Sequence, residues 1–244
     1  MKNFPKTKNR FIVYFDLMGF KDLVYRNNHS DISRIMDIVC STAKSIKDTE
    51  MGILEGLEGA EDKPSGTFTK TVVLPVVFSD SILFVSKGNT IFDAKKSIYV
   101  ASYFLYKLLS QNIPVKGALA YGTFTADFDK SSFFGRPLID AYLLANEANF
   151  YGAILHNTFD SYLKTKKKSV ISERMLKRAP IPMKGGAITH NYVDWGYFKN
   201  VAGNQEDLIE KFYDGVSGNT RIYVDNTKKV YLPSPPLPSP RRVK

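Results

Sequence analysis

Two aspartates stand directly beside apolar, strand-like stretches, and that placement suits metal-ion chemistry. Asp16 follows the run Arg10–Phe15, whose aromatic and β-branched residues predict a strand buried on both faces. Asp80 lies between two apolar runs within Thr71–Val85, where Ser79-Asp80 predicts the tip of a hairpin. If that hairpin lies beside the first strand, the two carboxylates converge and can hold divalent cations on a triphosphate. Asp16 also has a simpler interpretation, as a residue that only caps a turn.

The elements that must position these carboxylates follow the order βαββαβ. After the first strand, apolar residues between Ile32 and Ile46 recur at helical spacing, and the hairpin over Thr71–Val85 supplies two strands. Thr90 and Asp93 form a capping-box pattern for a helix that runs to about Gln111, and Val115–Tyr121 predicts the next strand. This order predicts an α+β fold with a ferredoxin-like split βαβ core and helices on one face of the sheet.

The second half of the chain predicts extra α/β elements after this core. Leu138–Phe150 has helical spacing, and residues 51–66 form a long loop before the hairpin. The other expected elements are strands at Ser169–Ser172, Ile188–Trp195 and Thr220–Leu232, helical segments at Glu173–Arg178 and Gln205–Tyr213, and a turn-rich loop at Pro180–Gly186.

Four stretches together resemble the class III nucleotide cyclases. FDLMGFKDL is similar to their metal-binding strand, and FSDSILFV is similar to their second metal-binding hairpin. IPVKGALAYG resembles the strand before the dimer-facing loop, and FGRPLIDAYLLAN resembles the helix that follows it. The four matches occur in family order over residues 10–146, so the resemblance implies a class III cyclase-like fold.

The resemblance also implies a set of site residues. Asp16 and Asp80 would hold two divalent cations, Mn²⁺ or Mg²⁺, with the carbonyl oxygen of Leu17 as a third ligand. Lys184 precedes two glycines, and the family has a triphosphate-binding lysine in a comparable K-G loop, although Lys184 could equally be a plain loop lysine. The family forms head-to-tail homodimers, which implies two composite sites. Backbone amides that would face the phosphates belong to Met18, Gly19 and Phe20.

The chain departs from the family pattern at positions that recognise the base and at positions that act on the transition state. Val76 and Ser132 stand where purine cyclases carry a base-reading lysine and aspartate. Ile139 and Leu143 stand where the family has an asparagine and an arginine that act on the transition state. This pattern resembles the bacterial pyrimidine cyclases of the Pycsar antiphage systems, which make cyclic UMP or cyclic CMP for a separate cyclic-nucleotide-binding effector. The implied substrate is UTP in preference to CTP, and Tyr14 and the loop 51–66 are candidates for reading uracil.

Composition sets broad limits on the protein. The chain has 244 residues and a net charge of +10, which suggests anionic partners such as nucleotides, nucleic acid or a membrane surface. Its single cysteine, Cys40, allows no intrachain disulfide, and no signal peptide or membrane span is evident, so we expect a cytoplasmic protein. We expect an N-terminal segment over 1–9, one catalytic domain over 10–232 and a disordered, basic, proline-rich tail over 233–244.

Three alternatives to a pyrimidine cyclase stay open at this stage. A cyclase-like module could bind nucleotide without turnover, which the missing asparagine–arginine pair favours, and a purine cyclase is a second possibility. A basic nucleic-acid-binding domain would explain the charge but not the two aspartates, so we expect no stable nucleic acid partner. No P-loop, zinc-ligand spacing or nucleophile-elbow motif occurs in the sequence.

Overall fold

The computed structural model describes residues 4–46, 73–166, 175–198 and 204–232. The strands are β1 (Thr7–Leu17), β2 (Val73–Phe78), β3 (Ser81–Ser86), β4 (Val115–Asp127), β5 (Ser132–Phe134), β6 (Gly152–Leu155), β7 (Leu176–Met183) and β8 (Gly186–Val193). The α-helices are α1 (Phe20–Arg26), α2 (His29–Ser45), α3 (Ile91–Ser110), α4 (Arg136–Glu147), α5 (Asn157–Thr165), α6 (Gln205–Glu210) and α7 (Arg221–Tyr231). Short 3₁₀ turns cover Trp195–Phe198, Lys211–Gly215 and Gly218–Thr220.

One mixed sheet organises these elements, with β1 near its centre. The strand order is β2-β3-β1-β4-β6-β8-β7, and β5 pairs with the far end of β4. β1 runs antiparallel to both β3 and β4, and β4 runs parallel to β6. The predicted βαββαβ core is therefore confirmed, because its four strands lie side by side in the order of a ferredoxin-like unit.

The two faces of the sheet are covered differently. Phe11, Val13 and Phe15 belong to the main core, which α2 and α3 complete on one face. Tyr14 points to the opposite face, where α4 packs over Ala118 and Ala120. The predicted capping box opens α3: Thr90 accepts from the amide of Asp93, and the Asp93 carboxylate accepts from the amide of Thr90.

One strand at the edge of the sheet was missed by the sequence prediction. The sequence predicts helical turns at Glu173–Arg178 and a loop at Pro180–Gly186, whereas Leu176–Met183 is strand β7 and pairs with β8 up to Met183↔Gly186. Pro180 and Pro182 cannot donate a ladder hydrogen bond. They are accommodated because β7 is the last strand of the sheet, where one side of the backbone needs no partner.

The predicted strand at Thr220–Leu232 is also wrong, because Arg221–Tyr231 is helix α7. Its buried residues recur at helical spacing and pack on the sheet, so tertiary packing overrides the strand preference of its valines, tyrosines and threonine. The helical prediction at Gln205–Tyr213 holds as α6 followed by a 3₁₀ turn. The predicted loop 51–66, the strand candidate Ser169–Ser172 and the tail 233–244 lie outside the described residues. Within the described ranges, no helix combines the length and apolarity needed to cross a membrane.

Candidate functional site

A row of paired residues crosses the sheet at the end of β1. Asp16 pairs with Ser81 on β3 and with Lys116 on β4, and Lys116 pairs in turn with Gly152 on β6. Directly paired residues project from the same face of a sheet, on strands about 4.8 Å apart. Ser81, Asp16, Lys116 and Gly152 therefore form one line, called here the Asp16 row, on the face that α4 partly covers.

The turn between β2 and β3 brings Asp80 to the same place. Ser79 adopts a left-handed backbone conformation with φ 54°, which makes the hairpin tight. The amide of Leu17 donates a hydrogen bond of 2.9 Å to the carbonyl oxygen of Asp80. The Asp80 carboxylate also acts on the pKa of Asp16, so the structure brings together the two aspartates that the sequence singled out.

Asp16 and Lys116 form a desolvated pair of opposite charges. Burial raises the pKa of Asp16, the Lys116 ammonium opposes that rise, and the Asp80 carboxylate adds to it. Lys116 is only 5% exposed. Burial lowers the pKa of its ammonium, and the Asp16 carboxylate raises that pKa. The carboxylates of Asp16 and Asp80 beside the Lys116 ammonium leave an excess of negative charge in a partly buried place, which is an environment that attracts cations.

Lys116 is the main site residue that sequence reasoning missed. The sequence did contain a signal for it. Lysine is rarely buried, so a lysine within the apolar strand Val115–Asp127 is unusual. Only the register Asp16↔Lys116 shows what compensates its charge.

The turn after β1 offers two of the three amides expected to face phosphates. The amide of Met18 donates to the carbonyl oxygen of Pro114 at 2.9 Å, so it is already used within the protein. The amides of Gly19 and Phe20 donate to no backbone carbonyl of the described residues. Gly19 has φ 73°, a conformation that L side chains rarely adopt, and it opens helix α1.

Tyr14 precedes Asp16 by two residues on β1, so the two side chains project from the same face of the sheet. It pairs with Leu83 and Ala118, and Leu83 pairs with Val76, so Val76 and Tyr14 belong to one cross-strand row. The Tyr14 hydroxyl is 3.1 Å from Ser81 Oγ, and its ring meets that of Tyr142 edge-on at 5.7 Å. Burial raises the pKa of Tyr14 to about 12, so the phenol is neutral at physiological pH.

Lys184 is exposed at the tip of the β7–β8 hairpin. Its amide donates to the carbonyl oxygen of Glu147 at 2.9 Å. Its ammonium contributes to lowering the pKa of Lys116, and Glu147 contributes in the opposite sense, so both charges lie near the Asp16 row.

Ser132 lies far from Asp16 within one chain. It pairs with Asp127 at the opposite end of β4, roughly 35 Å from Lys116 at the rise of an extended strand. Ser132 can contribute to an Asp16 site only if a second copy of the chain supplies it. Ile139 and Leu143 are 55% and 56% exposed on the outer face of α4, turned away from the sheet.

The donor set fits divalent cations. Asp16 and Asp80 provide carboxylate oxygens, which Mg²⁺ and Mn²⁺ prefer, and a triphosphate would complete the coordination. No group of three or more histidine, cysteine or acidic residues suited to a metal occurs in the part of the chain that the structure describes. Asp16 and Asp80, with the backbone oxygen of Leu17, are the groups that would hold such ions.

Comparison with solved structures identifies the fold as that of a nucleotide cyclase catalytic core. The catalytic core of a rhodopsin-guanylyl cyclase with converted specificity, in complex with ATPαS, matches with a TM-score of 0.50 and 12% identity over 78% of this chain and 98% of that chain. At this identity the likeness establishes the fold, as the sequence resemblance predicted.

A second solved structure is a class III adenylyl cyclase-like ATP-binding protein from Pseudomonas aeruginosa. It matches with a TM-score of 0.44 and 11% identity over 82% of this chain and 42% of that chain. No protein-family model matches the sequence, and no curated protein does.

Proposed function

We propose that this protein is a pyrimidine nucleotide cyclase, which converts UTP, in preference to CTP, to the 3′,5′-cyclic monophosphate and pyrophosphate. The observation that carries the proposal is the convergence of Asp16, Asp80 and Lys116 at one end of a sheet with the cyclase fold. A nucleotide-binding module and a catalytic cyclase both need this geometry, so turnover is the property to be measured.

The reaction forms a bond from the substrate 3′-oxygen to the α-phosphorus and breaks the bond from that phosphorus to the bridging oxygen of pyrophosphate. Asp16 and Asp80, with the carbonyl oxygen of Leu17, would hold two Mn²⁺ or Mg²⁺ ions. When bound, these ions would supply charge neutralisation for the triphosphate and favour the 3′-alkoxide. The amides of Gly19 and Phe20 and the ammonium of Lys184 would bind phosphate oxygens, so the chain mainly positions the substrate and stabilises developing charge.

The preference for a small base is supported by the row behind Asp16. Val76 neither donates nor accepts a hydrogen bond, and the largely buried ring of Tyr14 occupies the same face of the sheet. A purine edge without its polar partners would lose roughly 1–3 kcal/mol for each missing hydrogen bond. A pyrimidine has one ring fewer to accommodate and fits this surface better.

The proposal includes a homodimer with composite sites. It is supported by the distance of Ser132 from Asp16 within one chain and by the exposed apolar side chains around α4. By resemblance, we further propose a cytoplasmic protein whose product is a second messenger of bacterial antiphage defence, read by a separate cyclic-nucleotide-binding effector.

The test is turnover of UTP, CTP, ATP and GTP at equal concentration with Mn²⁺, with products identified by mass. We expect cyclic UMP as the main product. Asp16→Ala and Asp80→Ala should each lower turnover by at least about 100-fold while the protein stays folded, because each removes a carboxylate rather than core volume. Asp22→Ala, an exposed carboxylate in the first turn of α1, is the matched control and should retain activity.

Each other result has a definite meaning. A clear preference for ATP or GTP contradicts the pyrimidine assignment, and a preference for CTP contradicts only the choice of uracil. Nucleotide binding without any product favours the second candidate function, a binding module. The observation that favours this second candidate is the apolar pair Ile139 and Leu143, which replaces the family's asparagine and arginine.

A further inference from the structure

A groove lies between helix α5 and strands β1 and β4, away from the Asp16 row. Its volume is about 600 Å³, within the range of roughly 300–1,000 Å³ of pockets that hold small molecules. Tyr121, which lines the groove, follows Lys116 by five residues on β4. It therefore lies roughly 17 Å farther along the strand and projects from the opposite face of the sheet. The groove is separate from the candidate cyclase site.

Each wall of the groove is one face of a regular element. On the strand side, Asn9 pairs with Thr123 across β1 and β4, and Tyr121 shares their face because it precedes Thr123 by two residues. Helix α5 supplies the other wall, with residues at the spacing of one helix face: Thr158, Ser161, Tyr162 and Thr165. The amide of Tyr121 donates to Thr158 Oγ1 at 3.1 Å, which joins the two walls.

Strand β4 has an open edge where it borders the groove. β6 pairs with β4 only as far as Leu119, and β5 pairs with it only from Thr125 onward. Since the Tyr121 amide points to α5 across this edge, the carbonyl oxygen of Tyr121 and the amide of Thr123 point the same way. Neither group has a backbone partner on this edge in the described ranges, so both can bind a ligand.

The side chains of the groove define the chemistry of that ligand. Within the described residues no charged side chain lines the groove, although 24% of the chain is charged, so the groove suits an uncharged ligand. Its hydroxyl and amide side chains both donate and accept hydrogen bonds. The Thr123 hydroxyl donates to Asn9 Oδ1 at 2.8 Å, which fixes the Asn9 amide and leaves its Nδ2 as a donor. The rings of Tyr121 and Tyr162, with centroids 4.7 Å apart, add apolar surface.

We propose that this groove is a second ligand-binding site, which takes the sugar ring of a small uncharged ligand. The neighbouring hydroxyls of a sugar both donate and accept, as the walls require, and the C–H face of its ring suits contact with tyrosine. A free monosaccharide and the ribose of a nucleoside share this chemistry. The inference does not depend on the proposed cyclase activity, because no residue of the groove belongs to the Asp16 row.

The experiment is calorimetric titration of the full-length, metal-free protein with uridine, with 2′,3′-dideoxyuridine and with glucose. We expect uridine or glucose to bind with a dissociation constant of about 1 mM or lower, which is ordinary for a ligand of this size. If uridine binds, its dideoxy analogue should bind at least about tenfold more weakly, because groups of the groove lose their partners. Binding of glucose without binding of uridine identifies a free saccharide as the ligand.

Two variants locate the ligand. Ser161 is exposed on the helix wall, so Ser161→Trp should fill the groove and abolish binding while the protein stays folded. Thr123→Ala removes a hydroxyl of the groove and frees the Asn9 amide, and it should weaken binding about tenfold. Thr125→Ala is the matched control, because it removes a hydroxyl that bonds across the same two strands, to Thr7 at 2.9 Å, outside the groove. Its affinity should equal that of the wild type.

The outcomes that overturn the inference are distinct. Absence of binding by both uridine and glucose overturns it, and so does wild-type affinity in Ser161→Trp, since the ligand would then lie elsewhere. Equal affinity for uridine and its dideoxy analogue, without glucose binding, overturns recognition of the sugar. Loss of uridine binding in Asp16→Ala alone places uridine at the Asp16 site and overturns the groove. Turnover of nucleoside triphosphates is measured separately, so the cyclase proposal can hold or fail independently.

Discussion

At the scale of single residues, Asp16 combines the features on which cation binding depends. Its carboxyl group lies next to Lys116 in the sheet and near Asp80 across the hairpin turn. Burial raises its pKa from the ordinary value of 3.8, so the uncharged form is favoured in the metal-free protein more than in the unfolded chain. A cation on this group restores the preference for the carboxylate, which links metal binding to pH.

The first prediction concerns this link. In the metal-free protein the folded pKa of Asp16 exceeds the unfolded one, so its contribution to stability is full below the unfolded pKa and is lost as pH rises through the folded pKa. Mn²⁺ binds the carboxylate, so the stabilisation by Mn²⁺ should grow over the same rise in pH. At roughly 100 times the dissociation constant it should reach about 2.7 kcal/mol. The measurement is the unfolding midpoint with and without Mn²⁺ between about pH 4 and pH 8.

Asp16→Asn is the control for this experiment, since an amide keeps the shape of the side chain and cannot titrate. The variant should show no Mn²⁺-dependent stabilisation at any of these pH values. A stabilisation that is independent of pH in the wild type, or that persists in Asp16→Asn, would contradict the assignment of Asp16 as a metal ligand.

At the scale of elements, α4 has two unlike faces. Ala141 and Ala145 are buried against the sheet, whereas Ile139 and Leu143 are exposed on the opposite face and Tyr142 is exposed beside them. These three residues recur at the spacing of one helix face. Exposed apolar residues grouped in this way are typical of surfaces that contact another protein, and the proposed homodimer gives them a partner.

Leu143→Glu tests the second prediction, that this face of α4 joins two copies. Leu143 is 56% exposed, so the change should alter the free energy of unfolding by no more than about 0.5 kcal/mol, while a charge at a self-association surface should yield monomers without cyclase activity. Light scattering and product formation measure the two effects. Ile188→Glu is a matched control, because Ile188 is 54% exposed on β8, away from α4. A stable dimer in Leu143→Glu would show that another surface joins the copies.

At the scale of the whole molecule, one chain carries the Asp16 row at one end of the sheet but holds Ser132 at the far end of β4. Rigid strands cannot bring these two regions together, since the length of β4 separates them. In the proposed head-to-tail homodimer, the far end of one copy would lie against the Asp16 row of the other. Activity should therefore depend on association.

The third prediction is that specific activity falls on dilution, in step with the fraction of dimer measured by light scattering at the same concentrations. The physical reason is mass action, because a composite site exists only in the assembled pair. Bovine serum albumin added as a carrier controls for loss of protein on surfaces. Full turnover by a species that scatters as a monomer would argue against composite sites.

Much of the core was predictable because its signals are local. The apolar run that ends at Asp16, the hairpin around Asp80 and the capping box of Thr90 and Asp93 each depend on residues close together in the chain. The structure has all three, and the order of these elements led to the correct sheet. The sequence by itself thus determined that Asp16 lies at the end of the first strand and Asp80 in the hairpin turn.

Contacts between distant segments could be decided only by the tertiary structure. Lys116 joins the candidate site through its register with Asp16. Helix α7 reaches the same end of the sheet through the hydrogen bond from the amide of Tyr151 to Thr227, although its residues had predicted a strand. β7 exists as a strand because the sheet has an edge that tolerates Pro180 and Pro182. Strand register and edge positions arise from pairings far apart in the chain, so no local pattern could specify them, whereas strand ends and helix caps are set by neighbouring residues.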